Sequence, residues 1–201
     1  MSGIIAQNVG RHGGLIKAPS GGGGAWTLIQ TLTSDGSDAD LSFTSGIDST
    51  YDEYCFKFIN LHAETSGAIF GMNLSIDGGS NYNVTKTSTF YRAYHKEDDS
   101  TTGLGYDGGY DLAQETTYQK LTMTNTVNND DGWSGWMYLY APASTTFVKH
   151  WTSRISAPYD TSAVDIFTGG YGNTTSAVDA ITFLMSADEI QGGSISMYGI
   201  G

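Results

Sequence analysis

The feature that most constrains this fold is an alternation of apolar and polar residues that recurs in short runs along the chain. Between residues 70 and 76 every second side chain is apolar and mostly large, and a period of two also runs through 54–58 and 181–185. At 136–140 Trp and Tyr alternate with Met and Leu, and at 147–151 two aromatic residues flank Lys149 with the same spacing. Successive side chains of a β-strand point to opposite faces, so this period indicates strands with one buried face. No window of helical length shows a convincing period of 3.6 residues. The sequence therefore predicts about eight to ten strands and no long helix.

The composition favours the same fold class. The chain of 201 residues has 27 Gly and 13 Tyr but only 15% charged residues, so the residues that usually build helices are scarce. Runs of Gly, Asp, Asn and Ser separate the alternating windows and supply turns. Many short strands joined by turns are typical of sandwiches and jelly rolls. We therefore predict an all-β fold, a jelly-roll-like antiparallel β-sandwich, over residues 26–201.

Local patterns add predictions about individual segments. Residues 82–94 are predicted to return as the hairpin partner of the preceding strand, after a Gly-rich turn. The polar segments 97–109 and 156–178 are predicted to be long loops, the second with at most a short strand. Residues 45–53 and 110–117 allow no more than a short helical turn. Long loops on a rigid sandwich are where binding sites usually lie.

The first 25 residues lack the alternation and differ in charge from the rest of the chain. They contain basic residues and no acidic one, and a run of four glycines at 21–24 precedes the first strand pattern at Trp26. Two apolar pairs in so short a segment cannot be buried within it. We therefore predict an extended arm with a Gly-rich hinge over residues 1–25, which docks on another molecule. The arm residues assigned to this contact are Ile4, Ile5, Arg11, Leu15, Ile16 and Lys17.

The charge argues against two classes of partner. With 21 acidic and 9 basic residues the chain has a formal net charge of −12. Phosphate contacts need clustered Lys and Arg, so we expect no nucleic-acid partner. The same charge disfavours an anionic membrane surface, and no segment has the apolar length of a membrane span or of a signal-peptide core. We expect synthesis in a cytoplasm and no membrane association.

No motif for catalysis or for a resident metal stands out. The four histidines form no HxH or HExxH pattern, and the single cysteine, Cys55, excludes an intrachain disulfide. The acidic segments 35–40, 107–111 and 128–132 hold oxygen ligands of the kind that Ca²⁺ takes, but none fits the EF-hand loop, and solvated turns are the preferred interpretation. We expect a protein that is not an enzyme and has no cofactor and no metal.

The aromatic residues allow two uses. Core packing and subunit interfaces are the more common use of Trp and Tyr in such numbers. Sugar binding is the alternative, because a flat ring in a loop offers a platform for a pyranose. The tyrosines in predicted loops, assigned to a glycan or partner contact, are Tyr106, Tyr110, Tyr159 and Tyr171.

Three phrases of the sequence resemble a family of tailed-phage virion structural proteins, especially from marine and freshwater phages. The phrases are FTSGIDSTYDEYCFKFINLH at 43–62, LSIDGGSNYNVTKTS at 74–88 and the ending GSISMYGIG at 193–201. The resemblance extends over most of residues 26–201. It implies a jelly-roll-like sandwich, often trimeric, and carries no catalytic residues. Modules of this kind are found in tail fibres, baseplate-associated proteins and capsid surface proteins.

These observations together lead to an expected function. The first choice is a capsid decoration or cement protein on the outer surface of the virion, made in the host cytoplasm and anchored to the major capsid protein through its arm. A homotrimer is expected, since a one-domain sandwich rich in Tyr and Trp has surface to bury between copies. The first alternative is a short tail-fibre or receptor-binding tip, held by a tail adaptor protein and binding host glycan. The second is a carbohydrate-binding module.

Overall fold

The computed structural model describes residues 25–124, 131–159 and 161–201, and within these ranges its regular structure consists of strands alone. Thirteen strands are present in this part of the chain. They are β1 (Trp26–Thr33), β2 (Asp40–Phe43), β3 (Glu53–Ala63), β4 (Phe70–Ser75), β5 (Lys86–Lys96), β6 (Thr102–Tyr106), β7 (Ala113–Glu115), β8 (Gln119–Lys120), β9 (Trp133–Tyr140), β10 (Lys149–Tyr159), β11 (Ser162–Gly172), β12 (Ala180–Met185) and β13 (Ile190–Ile200). The predicted all-β class is confirmed.

The strands form two antiparallel sheets of unequal size. The large sheet has the order β1-β13-β3-β9-β10-β11-β5-β6, with β7 paired to β5, and the small sheet has the order β2-β12-β4-β8. Inside this arrangement the pairs β1–β13, β2–β12, β3–β9 and β4–β8 are nested one within the next. Such nesting, with successive strands alternating between the sheets, is the winding of a jelly roll. The remaining strands, β5–β7 and β10–β11, extend the large sheet.

The core lies between the inner faces of the two sheets and is centred on an aromatic side chain. Phe183 of β12 faces the large sheet, and the ring centroids of Phe43, Phe56, Phe58 and Phe70 lie 5.3–6.2 Å from its own. All five side chains are fully buried. Aromatic pairs at these separations add to the free energy that burial alone provides. The alternation seen in the sequence therefore has its expected cause, because every second residue of these strands enters this core.

The predicted hairpin of residues 82–94 is wrong. The reversal after β4 exists, since Gly78 and Gly79 adopt positive φ and the Val84 amide donates to the Leu74 carbonyl. However, β4 pairs with β12 and β8 in the small sheet, whereas β5 pairs with β11 and β6 in the large sheet. A turn sequence fixes the reversal of the chain. It does not fix which sheet receives the next strand.

The prediction of long loops at 97–109 and 156–178 is also wrong. The first segment contains β6, and the second is occupied largely by the β10–β11 hairpin, whose register runs without interruption from Lys149↔Gly172 to Tyr159↔Ser162. The cause of the error is the high content of Ser, Thr, Asp and Gly in these segments, which extends to buried positions such as Ser162 and Thr168 and so hides the period of two. In the described residues no helix forms, and 45–53 and 110–117 contain turns, bends and β7 instead.

The predicted arm residues Ile4, Ile5, Arg11, Leu15, Ile16 and Lys17 lie outside the residues that the structure describes. The described chain enters the fold at Trp26, on β1. This strand pairs with β13 alone and is one edge of the large sheet.

Two lysine side chains, Lys86 and Lys149, are fully buried in the described part of the chain. Lys86, at the start of β5, is fully buried, and its Nζ donates to the Asn73 side-chain oxygen and to the Val84 carbonyl. Burial lowers the pKa of Lys86 to about 8, because the charged amine loses its hydration. Its hydrogen-bond acceptors are neutral, so they offset only part of that cost.

Truncation of Phe183 should test the centre of the core. Phe183→Ala removes a ring that contacts both sheets, and we expect the free energy of unfolding to fall by about 3–5 kcal/mol. Phe147→Ala is the matched control, since Phe147 is 69% exposed, and it should change stability by less than about 0.5 kcal/mol. Urea denaturation followed by tryptophan fluorescence measures both. Equal effects would contradict the assignment of Phe183 to the centre of the core.

A second prediction concerns pH. Because the folded-state pKa of Lys86 lies below the unfolded value, the unfolded chain binds more protons between pH 8 and 10.5, and stability rises with pH in that window. Denaturation of wild type and Lys86→Met at pH 7 and pH 10 isolates this contribution. We expect the wild type to gain about 2–3 kcal/mol relative to the variant. If the difference in free energy of unfolding between wild type and variant is the same at both pH values, the lowered pKa of Lys86 is refuted.

Candidate binding face on the large sheet

The outer face of the large sheet, which points away from the small sheet, carries a row of aromatic and cationic side chains. Because paired residues of adjacent strands point to the same side, the register aligns this row across six strands. Its members, in order, are Lys57, Trp136, Arg154, Phe167, Tyr91 and Tyr106. The rings of Phe167 and Tyr91 stack with centroids 4.9 Å apart, and the Arg154 guanidinium lies 5.1 Å from the Phe167 ring.

The row ends in an exposed aromatic cluster beside the first strand. We call Trp26, Leu28, Lys57, Tyr138 and Tyr198 the β1 cluster. Trp26 is 42% and Leu28 56% exposed, and the Trp26 ring lies 5.5 Å from that of Tyr198 and 6.2 Å from that of Tyr138. The Lys57 amine lies 4.5 Å from the centre of the Trp26 ring, a cation–π contact. Rings held in this way at the surface offer area for a partner.

The only cysteine of the chain lies within this surface and is covered by it. Cys55 is fully buried and pairs across β3 and β9 with Tyr138. Burial raises the pKa of the Cys55 thiol to about 11, and burial beside that thiol raises the pKa of Tyr138 to about 12. The thiol is therefore protonated and shielded, as expected of a structural rather than a reactive cysteine.

A groove of about 510 Å³ lies next to the row, on the same outer face. Its floor is made of small side chains on four adjacent strands, and these are Ser134, Ser156, Ala163 and Ala93. Trp136, Arg154 and Asp165 also line it. A second hollow of about 490 Å³ shares His95, Ser156 and Ala163 with the first and continues toward Glu97 and Asp99. The two hollows together form one trough across the β9–β10–β11–β5 surface.

Two side-chain pairs and two further charged residues, Lys96 and Glu97, set the charge of this trough. Arg154 Nε lies 3.0 Å and 3.1 Å from the two carboxylate oxygens of Asp165, and its Nη2 lies 2.6 Å from one of them. The hydrogen bond to Asp165 raises the pKa of Arg154. His95 Nε2 lies 2.9 Å from a carboxylate oxygen of Asp99. The trough therefore offers polar atoms with little net charge.

A close backbone approach shapes the trough at its Trp136 end. A Cβ atom on Gly135 would lie 2.2 Å from the Arg154 carbonyl oxygen and 2.7 Å from Ile155 Cα, which is far inside van der Waals contact. Only glycine therefore fits this position of β9 beside β10. The neighbouring Trp136 and Arg154 are directly paired across the two strands.

The structure does not bring the four predicted tyrosines together. Tyr106 and Tyr171 are both on the outer face, but Tyr171 is four residues along β11 from the row, about 13 Å away. Tyr110 stacks on the buried Phe90 at 4.9 Å. Tyr159 lines a hollow of about 300 Å³ on the inner side of the sheet, together with residues of β5. Tyr106 donates a hydrogen bond to Asp111.

The sequence predicts which residues of β9 share a face, but no sequence pattern indicates the trough. The alternation placed Trp136, Tyr138 and Tyr140 on one face of a strand, and the buried Met137 and Leu139 confirm it. The trough had no comparable signal, since its floor is made of Ser and Ala residues from strands far apart in sequence. Only the sheet order brings those residues side by side.

The acidic segments behave as turns where the structure describes them. The Asp35 carboxylate accepts hydrogen bonds from the amide and hydroxyl of Ser37, which lower the pKa of Asp35. In the described ranges no group of three or more His, Cys, Asp or Glu side chains is arranged to hold a metal ion. The same ranges contain no helix long and apolar enough to cross a membrane. Residues 128–130 lie outside the described part of the chain.

No protein-family model, no curated protein and no solved structure matches this chain. The fold and its surface define a jelly-roll β-sandwich with an open outer face that is rich in aromatic side chains. Function is therefore inferred from that face and from the sequence patterns.

Thiol labelling tests how the β1 cluster is packed. Because Tyr138 covers Cys55, we expect the native wild-type thiol to resist iodoacetamide at pH 8 and to react only after denaturation. Tyr138→Ala should raise the native labelling rate at least about tenfold. Tyr171→Ala, on the same face but outside the cluster, should leave the rate unchanged. Fast labelling of the native wild type would contradict the burial of Cys55.

Proposed function

We propose that this protein is a non-enzymatic structural protein of a tailed-phage particle, and specifically a capsid decoration protein on the outer surface of the virion. Residues 1–25 anchor it to the major capsid protein, and the acidic jelly roll faces solvent. The observation that carries the proposal is the β1 cluster, an exposed aromatic and aliphatic patch at the point where the arm joins the domain.

The position of the cluster supports attachment at this end of the domain. Trp26 follows the arm directly, so a surface that holds the arm also meets the side chains around Trp26. Exposed apolar side chains that lie together mark interaction surfaces, and aromatic residues are enriched at the buried centre of interfaces. Trp26 and Leu28 are the most exposed large apolar residues of β1.

The cluster also supports association between copies. Tyr198 and Tyr138 extend the patch from the edge strand across β13 and β3 to β9, which widens it beyond a single strand. In a homotrimer, each copy would bury part of this patch against its neighbour or against the capsid. The three sequence phrases that resemble phage virion proteins support the assignment to a particle.

The net charge fits a surface role. A net charge of −12 keeps many copies soluble at high local concentration, because like-charged domains repel one another. The apolar and aromatic side chains of the β1 cluster would then contact the capsid at short range, while the acidic faces of the domain point to solvent.

The number of copies in each particle tests the proposal. Quantitative mass spectrometry of purified virions, calibrated against the major capsid protein, should find hundreds of copies in a simple ratio to capsid subunits. A few dozen copies or fewer, in multiples of three or six, would overturn the decoration role. That count would place the protein on the tail, where a tail adaptor protein would hold the arm and the domain would serve as a receptor-binding tip.

Incorporation of variants tests the anchoring surface. Removal of residues 1–24, or the double change Trp26→Ser with Leu28→Ser, should reduce incorporation into particles at least about tenfold while the domain stays folded. Phe147→Ser is the control, because it removes an exposed apolar residue outside the cluster. Normal incorporation of the truncated protein would contradict the arm as anchor.

A further inference from the structure

We propose that the trough on the outer face of the large sheet is a binding site for a neutral saccharide. The inference goes beyond the proposed structural role and does not depend on where in a particle the protein is carried. It rests on the shape of the trough, on the side chains that line it and on their charges.

The shape suits a small ligand more than a protein partner. The first hollow, of about 510 Å³, lies within the range of small-ligand sites, about 300–1,000 Å³. Its continuation into the second hollow makes it longer than one such site. A trough of this form fits several linked sugar rings laid across the strands. The β1 cluster, by contrast, presents exposed rings, which suit the surface of a protein partner.

The lining supplies the two kinds of contact that a sugar ring makes. Trp136 is partly exposed beside the floor and offers an apolar ring to the C–H face of a pyranose. Arg154 and Asp165 present a planar group of donors and acceptors that matches neighbouring hydroxyls. Nε and Nη2 of Arg154 contact Asp165, while Nη1 forms no hydrogen bond within the described part of the chain. The Ser156 hydroxyl lies at the floor, whereas the Ser134 hydroxyl is hydrogen-bonded to Asn60.

The charges decide between neutral and anionic ligands. The trough is lined by Arg154 and Lys96 on one side of the charge balance and by Asp165, Glu97 and Asp99 on the other, so its carboxylates outnumber its lysine and arginine side chains by three to two. Arg154 is in addition bound directly to Asp165. Glu97 and Asp99 add negative charge at the far end, and the chain as a whole is acidic. An anionic sugar, a phosphate or a nucleic acid would meet repulsion here. A polyhydroxylated ligand without charge would not.

The trough allows a matched pair of variants. Ser156 and Thr152 both lie on β10, and both are exposed on the outer face, four residues apart. Ser156 lines the trough, whereas Thr152 does not. Ser156→Trp therefore fills the trough without removing a wall residue, and Thr152→Trp places the same ring on the same face outside it. Trp136→Ala is a third variant that removes the stacking surface.

Saturation-transfer NMR with the full-length protein tests the site. The probes are tetrasaccharides of glucose, mannose, galactose and N-acetylglucosamine, with a heparin-derived tetrasaccharide as the anionic probe. We expect at least one neutral probe to bind, and Ser156→Trp and Trp136→Ala each to weaken its affinity at least about tenfold. Thr152→Trp should change the affinity by less than about twofold.

Three results would overturn the proposal. The first is no binding of any neutral probe at about 10 mM, and the second is binding of the heparin fragment alone. The third is an equal effect of the two tryptophan substitutions in proteins shown to be folded by circular dichroism. None of these results would alter the virion copy number, so the saccharide site and the decoration role fail or succeed separately.

Discussion

The packing of Phe183 against four other aromatic rings is the contact on which the other features of the molecule depend. It joins the small sheet to the large one at the centre of the jelly roll, and it fixes which face of each strand is buried. Because side chains alternate along a strand, the choice of an inner face is also the choice of an outer face. The row from Lys57 to Tyr106, the β1 cluster and the trough all occupy positions that the core leaves to the other side.

The unequal size of the sheets explains why the outer face is so broad. Four strands of the large sheet match the small sheet in the jelly-roll winding, and the added strands β10, β11, β5 and β6 continue it sideways. The inner side of this extension is covered in part by the segment between β6 and β7, where Tyr110 stacks on Phe90. Its outer side carries the trough. Both the segment that covers the inner side and the trough on the outer side are present because the additional strands belong to one sheet only.

Much of the fold could be predicted from the alternation, and the site only in part. The strands around Phe56, Met72 and Phe183 had a clear period of two, because their inner residues are large and apolar. The sequence predicts a loop over 156–178 instead of the end of β10 and β11, because this segment is rich in Ser, Thr, Asp and Gly and even its buried face carries Ser162 and Thr168. Pairing partners, such as β5 with β11 instead of β4, depend on contacts between distant segments, which no local pattern encodes. For the same reason the trough could not be predicted, since its floor forms only when β9, β10, β11 and β5 lie side by side.

The alignment of the outer row across six strands has a consequence for how such a protein changes over time. Backbone pairing and the buried rings set most of the register, and the outer side chains add only contacts at the surface, such as the stacking of Phe167 on Tyr91. Substitutions at Trp136, Arg154 or Ser156 therefore alter what the surface recognises at little cost to folding stability. A protein whose binding partner changes during evolution can therefore accept substitutions at the outer positions of each strand while its inner positions stay the same. The same alternation that encodes the core thus separates the residues under structural selection from those free to diverge.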